Sequence, residues 1–203
     1  MGTGEQEAHE RPAARGPVRR LRRAERREQI LDAATRAFAR TGFAATGLDD
    51  IAAEAAITRV LLYRHFESKA DLYRAVLDRT CERLDQRVGA DEFDDSAIPA
   101  LLRAAAEDPD AFRLLFRHAV REPEFRELVE GLTAASVGIA SRNLAAQLPG
   151  GPWTDWASRL VPALTIEAVI AWLDAGRPDP DTAAERISHA VHGVIHAARP
   201  SAP

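Results

Sequence analysis

The sequence predicts an all-α protein: a three-helix unit, a linking helix, and a second, larger helical domain. Three observations predict it. Apolar residues recur at three- and four-residue spacing from Ala24 to Ala198. Helix start and stop signals punctuate that pattern at short intervals. No segment alternates apolar and polar residues as a half-buried strand would. At 203 residues, 46% of them hydrophobic, the chain can bury a sizeable core in one or two domains.

Residues 1–18 are rich in Gly, Pro, Glu and Arg and are expected to form a disordered tail. From Ala24, the positions Ile30, Leu31, Ala34, Ala37 and Phe38 mark a first helix, which Gly42 is suited to end. Thr46 is the expected N-cap of a second helix, with Asp49 as its capping-box acid and Leu48, Ile51, Ala52 and Ala55 as its apolar side. After a turn at Ala56-Ile57, Thr58 opens a short third helix that carries Leu62 and Phe66 inward. Ser68 and Asp71 repeat the start signal for a helix running to Val88. Gly89 to Asp95 reads as an acidic loop, and Ser96 starts the next helix. Asp108-Pro109 restarts the chain, placing Phe112, Leu115, Phe116 and Ala119 on one helical face. Pro123 opens a long amphipathic run to Leu148, which Pro149-Gly150-Gly151-Pro152 breaks. Two helices close the chain, about 154–175 and 180–198, and Pro162 is expected to kink or split the first. The organisation is therefore a tail (1–18), a helix-turn-helix unit with its linking helix (19–88), and a second helical domain (89–200).

Composition narrows the function. One cysteine, Cys81, excludes an internal disulfide and a cysteine zinc cluster. No run of about eighteen consecutive apolar residues points to a membrane span, and the charged N-terminus does not resemble a secretory signal, so a cytoplasmic protein is expected. The net charge of −4 is unevenly placed. Residues 1–80 hold 15 basic against 12 acidic residues and residues 81–203 hold 12 against 19, net +3 and −7. Between residues 11 and 27, eight arginines face one acid, Glu25, which is the electrostatics of a phosphate-seeking arm.

Two short helices joined by a tight turn, behind a basic arm, suit a major-groove reader, because the groove admits one helix whose outer face carries the contacts. With Leu62 and Phe66 inward, the outward candidates are Thr58, Arg59, Val60, Leu61, Tyr63, Arg64 and His65. Arg59 suits a guanine edge, Val60 or Leu61 a thymine methyl, and Tyr63 and His65 phosphates. Lys69 and Thr46, each at a helix start, are candidates to hold phosphate together with free N–H groups.

The ordered set Ile30-Leu31-Asp32-Ala33-Ala34, Phe38, Gly42-Phe43, Thr46, Asp50-Ile51-Ala52, Ala55-Ala56-Ile57-Thr58 and Leu62-Tyr63-Arg64-His65-Phe66-Glu67-Ser68-Lys69-Ala70-Asp71-Leu72 resembles the DNA-binding domain of the tetracycline-repressor (TetR) family. The resemblance covers about residues 24–75. It implies a homodimeric transcriptional regulator, expected to be a repressor, that leaves a palindromic operator in double-stranded DNA when its C-terminal domain binds a small-molecule effector. The sequence departs from the family pattern at Gly47, where a hydroxyl is usual, at Ala56 in place of a turn glycine, and at Val60-Leu61 in place of smaller residues.

The C-terminal domain shows no phosphate loop, zinc motif or activated nucleophile, so no enzyme, metal or cofactor is expected. The alternatives are an enzyme or carrier retaining a vestigial reading head, and a ligand-independent DNA-binding protein. The family's ligand cavity singles out Phe112, Phe116, His118 and Trp156 as candidates. His189, His192 and His196 share one helix side, opposite a core stripe of Ile187, Val191, Val194, Ile195 and Ala198, so they are expected to face solvent or a partner rather than a metal. Ala190, Gly193 and Ala197 line a third side, small enough for a second helix to approach closely, as the family's dimerisation implies.

Overall fold

A computed structural model describes residues 22–89 and 96–200; the predicted tail and residues 90–95 lie outside the described residues. Among the described residues the chain is helical, with no strand. Helix α1 (Arg23–Ala45) begins with a backbone-to-Glu25 cap, Arg22 N–H donating to Oε2 at 2.8 Å. It buries Ile30, Leu31, Ala34 and Phe38 against α2 (Leu48–Glu54), α3 (Arg59–Tyr63) and α4 (Lys69–Val88). Gly42 leaves the helical path at φ +80°, a conformation glycine adopts at little steric cost, and turns the end of α1 toward α2.

That turn displaces the expected cap by one residue. The Thr46 side chain is buried, its hydroxyl 2.6 Å from the Gly42 carbonyl and 2.7 Å from the Thr41 hydroxyl, so it closes α1 instead of opening α2. Gly47 is the N-cap, and Asp50, not Asp49, accepts its N–H at 2.9 Å. The start signals at Thr58, Ser68 and Asp108 stand as read. Thr58 Oγ1 accepts from Leu61 N–H, Ser68 Oγ from Asp71 N–H, and Asp108 Oδ1 from Ala111 N–H. Ala56 holds the α2–α3 turn at φ +51°, a left-handed conformation in which a Cβ is strained.

The second domain comprises α5 (Ala97–Glu107), α6 (Pro109–Arg113), α7 (Arg126–Leu144), α8 (Pro152–Asp174) and α9 (Pro180–Ala197). One regular helix was expected through Ala119. Instead α6 widens into a π-helical turn at Leu114–His118 and tightens to 3-10 geometry at Ala119–Arg121. The wider turn lets the adjacent Leu114 and Leu115 both point inward. With Ala119 and Phe125 they join the core of the reading head, in contact with the set that holds Ile30, Phe38, Tyr73 and Val76. A 3-10 turn at Pro123–Phe125 precedes α7, which ends at Leu144 rather than Leu148.

Helix α8 runs through Pro162 as one helix, so the proline does not split it. Its Ala157, Val161, Val169 and Ile170 are buried against α5, α7 and α9, and this packing offsets the one hydrogen bond the proline removes. By length and composition α8 alone among the described helices is apolar enough to cross a membrane, and 44% of that stretch is buried inside the molecule. The α9 stripe Ile187, Val191, Ile195 and Ala198 packs inward as expected.

Candidate nucleic-acid interface

Short helix α3 is held from behind by Leu62 and Phe66, both buried, so its other side chains project outward. Val60 is 68% exposed and Tyr63 46%, two of the few large apolar side chains left in solvent. Arg59 and Arg64 are exposed, while Leu61 and His65 sit half-buried at the edge of the same face. Burial, then the cationic Arg23, Arg27 and Arg26, push the His65 pKa down. Thr58 uses its hydroxyl as the helix cap.

Arg59 does not wave freely. Its Nη1 donates to Asp49 Oδ2 at 2.9 Å, and Nη2 to Tyr63 Oη at 3.3 Å, with the guanidinium 5.6 Å from the centre of the Tyr63 ring. Asp49, read from sequence only as a capping acid, is thereby part of the outward face. Its orientation toward α3 depends on the packing of two helices, which spacing along one helix does not reveal.

Two residues at helix starts turn inward rather than toward the outer face. Thr46 is turned inward, as described above. Lys69 reaches back across the head: its ammonium donates to the carbonyls of Phe43 (2.8 Å), Ala44 (3.2 Å) and Thr46 (3.2 Å), and lies 4.6 Å from the centre of the Phe43 ring. Its three donors are thus spent on the α1–α2 joint. The head is tied together further by Gln29 Nε2 donating to the Ala55 carbonyl, and by Arg36 and Arg40 pairing with Glu54, whose pKa is lowered first by the hydrogen bond from Arg36.

Behind the head lies an apolar cavity of about 140 Å³. Cys81, Leu84 and Val88 of α4, Ile98 and Leu101 of α5, Leu115 and Phe116 of the π turn, Leu132 and Ile139 of α7, and Pro162 and Ile166 of α8 line it. Asp85, Ser136 and Thr165 are its polar members. Burial pushes the Cys81 thiol up to about 11, so it stays protonated and offers no nucleophilic thiolate. A second cavity of about 200 Å³ shares the wall formed by Leu115, Phe116, Leu132, Ser136, Pro162 and Ile166.

Of the four ligand candidates read from the sequence, the structure brings only Phe116 to a cavity wall. Phe112 packs against Phe116 from the core side, ring centres 4.7 Å apart, and is fully buried. His118 lies off the wall, its pKa lowered by burial and by Arg121 and Arg117. Trp156 stacks edge-on with Trp153 and is 38% exposed, because it lies on the outer side of α8. Three of the four candidates thus lie away from this wall. The plain apolar face of α4, Cys81, Leu84 and Val88, lines it instead.

On the outside of the second domain, Ala190, Gly193 and Ala197 of α9 and Ala163 and Ala171 of α8 are exposed, and no side chain among the described residues covers Gly193. His189, His192 and His196 are exposed as expected, and the described residues contain no cluster that would hold a metal.

Comparison with known proteins agrees with this geometry. The family profile described as bacterial regulatory proteins, tetR family, matches residues 30–76, which run from α1 into α4. The transcriptional activator FasR of Mycolicibacterium smegmatis is 34% identical over 212 residues, covering 96% of this chain and 94% of its own. The transcriptional regulator TtgR of Pseudomonas putida is 45% identical over 75 residues, 37% of this chain and 36% of its own. A TetR-like regulator from Rhodococcus sp. RHA1 superposes with a TM-score of 0.74 over 85% of this chain and 96% of its own at 22% identity, a likeness of fold. With its reading head matched to the family and a relative aligned along nearly its whole length, this chain belongs to the tetR family of bacterial regulatory proteins and is a DNA-binding, helix-turn-helix transcriptional regulator.

Proposed function

We propose that the protein works as a homodimer whose two reading heads (residues 19–88) bind a two-fold-related site in double-stranded DNA, and that a small apolar molecule in the second domain (residues 89–200) weakens that binding. The observation that carries this reading is the double duty of the π turn. Leu115 and Phe116 line the cavity, while Leu114, Leu115 and Ala119 pack in the core of the reading head. A ligand that moves the cavity wall therefore moves residues against which α1 and α4 rest. Coupling requires only that the ligand bind one arrangement more tightly than the other.

The ligand class follows from the lining. Among the described residues the wall is apolar with Asp85 as its charged member, so a neutral or cationic apolar molecule suits it better than an anion buried there. If the site overlaps a promoter, release by ligand relieves repression. The activator name of the relative matched along its length favours a second reading, in which the same release withdraws an activator from upstream DNA.

Filling the cavity tests the coupling without knowing the effector. Ser136 sits on the wall shared by both cavities, so Ser136→Phe places a ring in the space. The variant should lose binding of the neutral fluorophore N-phenyl-1-naphthylamine. It should also bind a DNA fragment, selected from the host genome by the purified protein, roughly tenfold more weakly, on the order of 1.4 kcal/mol. Loss of fluorophore binding with unchanged DNA affinity would contradict the coupling.

A further inference from the structure

We propose that Asp49 is a specificity-determining residue, one that holds Arg59 in position to read a guanine edge in the major groove. The proposal rests on the reading above, that α3 enters the groove. A carboxylate on a DNA-facing surface is unfavourable by itself, since it repels phosphates and cancels attraction that the head supplies with Arg59 and Arg64. Its place in the first turn of α2 suits the helix dipole whether or not it meets Arg59, so stability does not account for the pairing. The Arg59 and Asp49 side chains are 52% and 72% exposed, and pairs of that kind contribute little to folding. Asp49 is also not the α2 capping acid, a role Asp50 fills.

What the pair does is remove freedom from a long side chain. Asp49 Oδ2 holds Nη1 at 2.9 Å and Tyr63 Oη holds Nη2 at 3.3 Å, so the guanidinium is fixed from α2 on one side and from the next turn of α3 on the other. Each terminal nitrogen keeps a second hydrogen, and those are the donors a guanine O6 and N7 accept. An arginine already ordered loses less side-chain entropy on binding, and loses it only for the base that matches its fixed fork. The acid therefore trades general attraction for discrimination.

The two effects have opposite signs, which makes the test sharp. Asp49→Asn, Arg59→Ala and the double variant of the full chain are titrated against the selected fragment, against copies with each G·C pair replaced in turn, and against scrambled DNA. Asp49→Asn should bind scrambled DNA a few-fold more tightly. It should lose roughly tenfold of the preference for guanine at the same base pair that Arg59→Ala affects, and cost no further preference in the Arg59→Ala background. If Arg59→Ala loses the preference and Asp49→Asn keeps it, the proposal is overturned while base reading by Arg59 stands. If Arg59→Ala itself leaves every preference intact, both fall together. A general loss of affinity without a change in preference would likewise overturn it.

Discussion

At the scale of single residues, Lys69 stands at a helix start yet spends its ammonium inside the reading head. Its ammonium gathers three carbonyls at the end of α1, where Gly42 has already broken the helix, and so sets the angle at which α2 and α3 leave. A lysine bound to phosphate and a lysine that sets a joint predict different salt behaviour. Lys69→Met should weaken binding to the selected fragment by about tenfold, yet leave the slope of log affinity against log salt unchanged, because no phosphate contact is lost. A slope shallower by about one would show instead that Lys69 leaves the carbonyls for phosphate. Sequence order makes Lys69 visible as a basic residue at a helix start. It does not show carbonyls that lie more than twenty residues earlier in the chain. Thr46 was obscured for a related reason: a hydroxyl before a helix reads as a cap until the bend at Gly42 supplies it a nearer carbonyl.

At the scale of elements, α4 lies between the two domains, and three arginines four residues apart on it tie it to α1 and to the second domain. Arg79, nearly buried, donates to Glu28 at 3.1 Å and Asp32 at 2.7 Å on α1, and to the Thr35 hydroxyl at 3.1 Å. Arg83 joins Glu28 of α1 to Asp108, the cap of α6, and Arg87 pairs with Glu107 of α5. The acids around Arg79 remain half-exposed, so removing the arginine strands no buried charge. Arg79→Met, which keeps much of the apolar stem, should lower unfolding stability by about 1–3 kcal/mol through the lost hydrogen bonds, read as a lower urea midpoint. An unchanged or higher midpoint would mean that desolvation of the guanidinium already cancels those bonds. Helix existence was legible at this scale because burial and periodicity coincide along α1, α4 and α9. The π turn after α6 was not, since it arises from the need to bury Leu114 and Leu115 against a different part of the chain.

At the scale of the whole molecule, the reading head was the most legible part, because its apolar positions, caps and outward side chains all lie within one short stretch of sequence. The cavity was the least legible. It forms where α4, α5, α7 and α8 fail to meet, and a gap between four helices has no signature in any one of them. In the proposed homodimer, the seam lies on the outer faces of α8 and α9. Gly193 is exposed with open space where a side chain would stand, so Gly193→Leu is tolerated by the isolated chain and obstructs only a second helix laid against it. Sedimentation of that variant should show a dimer dissociating at tenfold or more higher concentration than the unaltered protein; equal dissociation would place the interface elsewhere. The central claim, that a dimer reads a specific DNA sequence through α3, is tested most directly by titrating the purified protein against the selected fragment and its scrambled counterpart at two salt concentrations. The account predicts saturation at one dimer per two-fold site, binding at least a hundredfold tighter than to scrambled DNA, and a steep loss of affinity with salt. Equal binding to both sequences would contradict it.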